Sequence, residues 1–335
     1  MNIIDQDKYK NRIPWIDNVK FIAIFCVIFG HFNGLIFTHG RPGFAFVNLL
    51  IVVFNMPLFV LMSGYSNFHS LIKIDTIRNL YNYVKKTILH IALPCVIPCI
   101  IVWVIQRCNG FVDFKHYWFL VMLFVMQIAA GCCFYISNKI KFLHKNIIAW
   151  GLFSLSMIVL SKYSTSELFL YYVLGGALYN SKYKASIYNK SKKVYNPMIF
   201  ISLSLVALGL FFIVGKYQFY NDTLKSLLIN GKFYIWILRI LCACIICYLI
   251  ITLTQMYSKR YNLISYIGSK TLGLYIYTGL MVDVCLKYHL MIHDDSMLSW
   301  LTALIISIVA TILALVIIRC LESNKITKFC FFGKY

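Results

Sequence analysis

Three ionisable residues share one apolar stretch, WIDNVKFIAIFCVIFGH, from Trp15 to His31. Asp17 and Lys20 stand near its start and His31 closes it, with Asn33 two residues further on. A neutral imidazole can accept a proton from a hydroxyl, and a lysine ammonium pairs with phosphate oxygens. On a helix, Lys20 and His31 are eleven residues apart, so they project from nearly one face about 16 Å apart along the axis. Asp17 lies one turn before Lys20 and points the same way. The face admits two readings. Either it joins a cation at one membrane surface to an imidazole deeper in, or Lys20 snorkels to the interface and His31 is a hydrogen-bonded packing residue.

Other ionisable groups fall inside apolar segments, where charge is costly and usually has a purpose. Arg239 and Asp283 each sit about six residues from the expected outer end of their segment, near 9 Å depth. They are predicted to form a structural ion pair, because either one alone in lipid would cost several kcal/mol. Lys85, Lys86 and His90 cluster at the start of the third apolar segment, where they suit a phosphate-rich ligand or serve as ordinary inner-surface cations. Most of the 12 cysteines fall in apolar runs, where a free thiol behaves as a small hydrophobe. Cys244-x-x-Cys247 lacks the second ligand pair and polar shell that zinc needs, so no metal site is expected.

The elements that must position these groups are apolar helices. Ten segments, at 18–38, 44–65, 87–105, 117–137, 147–161, 167–180, 198–215, 233–254, 271–289 and 298–318, have the apolar character of membrane spans, the fifth and sixth being short. Alternate loops and both termini hold about 23 of the 32 Lys and Arg residues, whereas the opposite loops hold about 8. That asymmetry places both termini in the cytoplasm. Residues 66–86 are too polar to cross, and Leu71, Ile74, Ile77 and Leu80 recur at helical spacing. They predict one amphipathic helix at the inner interface, either a lipid anchor or part of a binding site. The expected fold is therefore all-α, a polytopic integral membrane protein of about ten transmembrane helices forming a single domain over 1–335.

Composition excludes most alternatives. Hydrophobic residues make up 61% of the 335 and charged residues only 13%, about half the share of a soluble domain. The net charge of +21 is spread over alternate loops rather than one continuous face, which argues against nucleic acid. The first dozen residues are polar and the run after them lacks a small-residue cleavage site, so the first span is expected to stay in the mature protein.

Taken in order, several motifs resemble the acyltransferase family 3 membrane proteins, which acylate carbohydrates. They are Trp15-Ile16-Asp17-x-x-Lys20-x10-His31; Met56-Pro57-Leu58-Phe59 with Ser63-Gly64-Tyr65; Lys85 and Lys86 ahead of Pro94; and Tyr117-Trp118-Phe119-Leu120. Leu174-Gly175-Gly176 and Ile267-Gly268-x-x-Thr271-Leu272-x-Leu274-Tyr275 complete the series. The resemblance covers residues 12–280, ahead of the last span (298–318) and a short basic tail (319–335). It implies transfer of an acyl group, commonly acetyl from acetyl-coenzyme A as co-substrate, to a hydroxyl of a surface polysaccharide or its lipid-linked precursor. It implies a catalytic set of His31, as the catalytic histidine, Lys20, where the family often has arginine, and Asp17.

On the same basis Lys85, Lys86, His90, Ser63 and Tyr65 are candidates for holding the coenzyme, and Trp118, Tyr275 and Asn33 for the acceptor. Partners would be the glycan and membrane lipids, in a bacterial-type inner membrane. The chain departs from the family twice: Thr87 and His90 stand where paired arginines are common, and Thr278 stands where a histidine is common. A glycolipid transporter or flippase without covalent chemistry explains the spans equally well but not the ordered motifs. A glycan polymerase would usually carry an arginine-rich outer loop, and residues 216–232 contain no arginine.

Overall fold

The protein is seen in a computed structural model that describes residues 12–35, 42–105, 117–140, 145–160, 168–179, 197–215, 233–258, 260–287 and 299–332. Among the described residues there is no strand. The helices are α1 (Pro14–Leu35), α2 (Pro42–Leu71), α3 (Ile77–Thr87), α4 (Leu93–Ile105), α5 (Trp118–Lys139), α6 (Lys145–Leu160) and α7 (Leu168–Tyr179). They continue with α8 (Pro197–Gly215), α9 (Phe233–Tyr257), α10 (Leu263–Gly268), α11 (Thr271–Lys287), α12 (Ser299–Ser323) and α13 (Lys325–Phe332).

A helix lies on every segment expected to span. Among the described residues, five helices are long and apolar enough to cross a membrane, over Pro14–Asn33, Ile51–Leu71, Trp118–Lys139, Tyr234–Tyr257 and Trp300–Ser323. Four others are apolar but shorter: Asn146–Ile158, Leu168–Tyr179, Met198–Phe212 and Thr271–Cys285. The basic loop at 181–196 and the acidic one at 290–297 lie outside the described residues.

Two expectations about local structure need correction. The second apolar helix does not stop near residue 65 but runs to Leu71. The single amphipathic helix expected over 66–86 is instead the end of α2, a break at 72–76, and the short α3. Leu71 and Ile74 are buried but Ile77 is exposed, so the four apolar residues do not form one face. Thr76 explains the restart: its side chain caps α3 by accepting from the backbone N–H of Asn79 at 3.2 Å.

Between α3 and α4 the chain widens into a π-turn over Ile88–Ala92, where the Leu93 N–H reaches back to the carbonyl of Ile88. Pro94 is the cause that physical chemistry suggests. Its ring clashes with the carbonyl four residues back and supplies no N–H, and a wider turn moves that carbonyl aside.

The chain divides into two compact units. The first holds residues 1–30, 40–66 and 161–269, hence most of α1 and α2 with α7 to α10. The second holds residues 31–39, 67–160 and 270–335, hence the last turn of each of α1 and α2, α3 to α6, and α11 to α13.

In the first unit, helices meet at glycines. A Cβ on Gly64 would strike the carbonyl of Tyr172, and one on Gly175 would strike the carbonyl of Leu61, so α2 and α7 cross backbone to backbone. Small residues permit such close approach between membrane helices. The Ser63-Gly64-Tyr65 and Leu174-Gly175-Gly176 motifs are the two sides of this crossing.

In the second unit the core is aromatic. Trp150 stacks on Phe68 at 6.0 Å and meets Phe134 edge-on at 5.1 Å. Lys270 pairs with Glu322, which ties the start of α11 to the end of α12.

Candidate active site

The start of α1 is a joint in the first unit. Asp17 and Asn18 are both buried there. The Asp17 carboxylate accepts from the guanidinium of Arg12 at 3.1 Å. Asn18 projects about 100° further round the helix. Its Nδ2 donates to the Ser258 hydroxyl, and its Oδ1 accepts from the Ser265 hydroxyl at 2.7 Å. Asn262 caps α10 by accepting from the Ser265 N–H at 2.9 Å, which holds that serine toward Asn18. Gly268 completes the contact, because any Cβ there would run into the Asp17 carbonyl. The glycine of the Ile267-Gly268 motif is therefore required by close packing on α1. Lys20, one turn beyond Asp17, is half-buried.

Two other expected site residues of this unit are held by structural contacts. The Ser63 hydroxyl donates to the carbonyl of Phe59 at 2.9 Å, within its own helix. The Tyr65 ring is clasped between Trp15 at 5.5 Å and Tyr179 at 5.2 Å. Arg239 lies buried in α9 of this unit, whereas Asp283 belongs to α11 of the second, so their expected pairing stays an expectation.

α1 continues without a break through His31 to Leu35, as the spacing of Lys20 and His31 requires. His31 is half-buried. Asn33 is only 1% exposed, and neither its Oδ1 nor its Nδ2 has a hydrogen-bond partner among the described residues. Two residues on a helix are about 200° apart, so His31 and Asn33 project to opposite sides of α1.

In the second unit the Tyr117 side chain lies across Gly279 of α11, where an added Cβ would approach its ring at 3.3 Å. The Tyr117 hydroxyl donates weakly to the carbonyl of Ile276 at 3.5 Å. Tyr275, one turn before Gly279, packs against Phe119 at 5.9 Å and Tyr117 at 6.4 Å. Asp283 lies one turn after Gly279 on the same helix. Trp118 is half-buried and meets Phe119 edge-on at 6.0 Å. Tyr275 and Trp118 thus share one aromatic cluster through Phe119, and Tyr117, which joins it at Tyr275, is a motif residue to which sequence reasoning gave no role.

The departures from the family pattern also have a structural form. The Thr87 hydroxyl donates to the Tyr83 carbonyl at 2.9 Å, and that of Thr278 to the Leu274 carbonyl at 2.6 Å. Both threonines are buried and bonded to their own helices, so neither offers the cation or imidazole the family often has there. Lys85 and Lys86 are exposed on α3, and His90 is half-buried in the π-turn. Cys244 and Cys247 are free thiols within α9.

Sequence comparison bears on the whole chain. The family model described as an acyltransferase domain matches residues 13–319. The match extends past the region expected from the motifs and takes in nearly all of α12. No curated protein and no solved structure matches.

Proposed function

The chain belongs to this acyltransferase family, as an all-helical integral membrane protein, and from that premise we propose that it transfers an acetyl group from acetyl-coenzyme A to a glycan hydroxyl. The acceptor in this proposal is a surface polysaccharide or its lipid-linked precursor, and the setting a bacterial-type inner membrane. In this proposal the ten apolar segments cross the membrane, and the loop charges put both termini in the cytoplasm. One observation carries the reading: a family match over residues 13–319 that includes Lys20 and His31, eleven residues apart on the unbroken α1.

The donor supplies a thioester carbonyl as electrophile, and the chain does the rest. A neutral His31 ring nitrogen takes the proton of the acceptor hydroxyl as its oxygen attacks the carbonyl carbon. The new C–O bond replaces the C–S bond, and the proton held on His31 neutralises the departing thiolate. Lys20 is the candidate on α1 for the donor's phosphates, with Asp17 and Arg12 fixing the turn before it. Lys86 and His90 are the candidates on the second unit. Asn33 remains a candidate for the acceptor, approached from the side of α1 away from His31.

The test uses purified protein with acetyl-coenzyme A and candidate glycans, following free coenzyme A and the acetylated product. His31→Ala should reduce both at least about 100-fold. Acetylation unchanged at equal amounts of folded protein would refute the role of His31. No release of coenzyme A above background from the unmodified protein would favour transport without covalent chemistry.

A further inference from the structure

The fold locks α3 against rolling about its own axis. Tyr83 is buried, and its hydroxyl accepts from Asn67 Nδ2 at 2.5 Å and donates to the carbonyl of Gln127 at 3.2 Å. Its ring also lies against Gly131, where an added Cβ would come within 2.7 Å of a ring carbon. Thr87, one turn on, is buried too. The inward face of α3 is therefore fixed, and with it the outward one.

At about 100° per residue, Lys85 lies about 180° from the mean direction of Tyr83 and Thr87, and Arg78 lies about 20° from Lys85. Both are exposed. Beside this cationic stripe, on one flank, come three exposed apolar side chains: Ile77 at 65%, Tyr81 at 64% and Ile88 at 44%. Lys86 lies on the opposite flank. Asp75, the nearest acid in the chain, precedes the helix and accepts from Asn79 Nδ2 at 2.6 Å. The stripe itself carries no acid.

α3 begins six residues after Leu71, where the membrane-crossing part of α2 ends, so it lies near a membrane surface. An outward face with apolar residues along one edge and cations along the other matches the boundary between acyl chains and headgroups.

We propose that the outward face of α3 binds the phosphodiester headgroup of anionic phospholipid. Arg78 and Lys85 hold the phosphate, and Ile77, Tyr81 and Ile88 enter the acyl region beside it. Arg78 offers a planar fork of donors and Lys85 a point charge, both suited to phosphate. The proposal removes Lys85 from the coenzyme candidates, because it faces away from the side of α3 that packs on the protein. It does not depend on the catalytic reading.

The test is native mass spectrometry of the full chain in detergent, titrated separately with phosphatidylglycerol and phosphatidylcholine, together with a direct measurement of acetyl-coenzyme A binding. Wild-type protein should retain phosphatidylglycerol preferentially. Arg78→Gln should weaken that retention about fivefold and Arg78→Lys much less, both with unchanged melting temperature. Tyr81→Ser should weaken retention of both lipids. Lys85→Gln should weaken phosphatidylglycerol about fivefold and leave acetyl-coenzyme A affinity as it was. Equal retention of the two lipids by wild type would overturn the proposal. So would a Lys85→Gln variant that loses acetyl-coenzyme A but not phosphatidylglycerol, which would return the stripe to the coenzyme.

Discussion

The two ends of α1 bury polar groups in different ways. At the start, Asp17 is paired with Arg12, while Asn18 is bonded on both its donor and acceptor sides to serines 240 and 247 positions later. At the far end Asn33 is more deeply buried, yet neither polar atom of its amide has a partner among the described residues. An amide buried without compensation costs a few kcal/mol. The first end recovers that cost within the chain and so works as a joint. The second leaves its amide without a partner among the described residues, two positions from His31 and on the other side of the helix. The difference separates two roles that the Asp17-x-x-Lys20-x10-His31 motif presents as one: its first residue fastens a helix, and its last is where chemistry is proposed.

Substitutions at each end can break or sharpen this contrast. The largest effect should come from Gly268→Val, which drives a branched side chain into the backbone of α1 at Asp17. It should cost more than about 3 kcal/mol, read as loss of folded protein after solubilisation. Next, Asn18→Ala should cost about 1–3 kcal/mol because it strands the hydroxyls of Ser258 and Ser265. A double-mutant cycle with Ser265→Ala should show non-additive unfolding energies. Transfer per folded molecule should be unchanged in both singles.

Asn33→Leu should do the reverse. Replacing an amide that has no partner among the described residues with a similar apolar side chain should leave the melting temperature equal or higher. If the amide meets the acceptor, the acceptor KM should rise about 3–10-fold, the value of one or two hydrogen bonds. A drop in stability with unchanged KM would make both ends joints and erase the contrast. The smallest effect is expected away from α1. Gly279→Ala must displace the Tyr117 ring by a few tenths of an ångström, at about 1 kcal/mol or less, read by thermal unfolding.

Much of the architecture was legible in the chain because long apolar runs have few alternatives in lipid. Every expected segment carries a helix, and the turn from α1 start to His31 keeps the periodicity that the spacing demanded. The motif glycines were legible as motifs but not as contacts. That Gly64 meets Tyr172 and Gly268 meets Asp17 depends on which helices cross, and apolar patterning does not encode partner choice. Asn18 was missed for the same reason, since its partners are remote in sequence.

The break at 72–76 was missed because apolar spacing continued through it, while the capping hydroxyl of Thr76 decided where α3 begins. Lys85 and Lys86 were grouped as neighbours in sequence. On α3 they are about 100° apart, and the anchoring of Tyr83 sets Lys85 opposite the packed face and Lys86 on its flank.

The central claim, that the two ends of α1 divide fastening from chemistry, is tested most directly by acyl transfer and thermal unfolding measured together on purified wild-type, His31→Ala and Asn18→Ala proteins. The account predicts that His31→Ala unfolds like wild type and transfers at least about 100-fold more slowly, while Asn18→Ala unfolds earlier and transfers normally per folded molecule. Normal transfer by His31→Ala, or a loss in Asn18→Ala as large as that in His31→Ala without loss of stability, would contradict it.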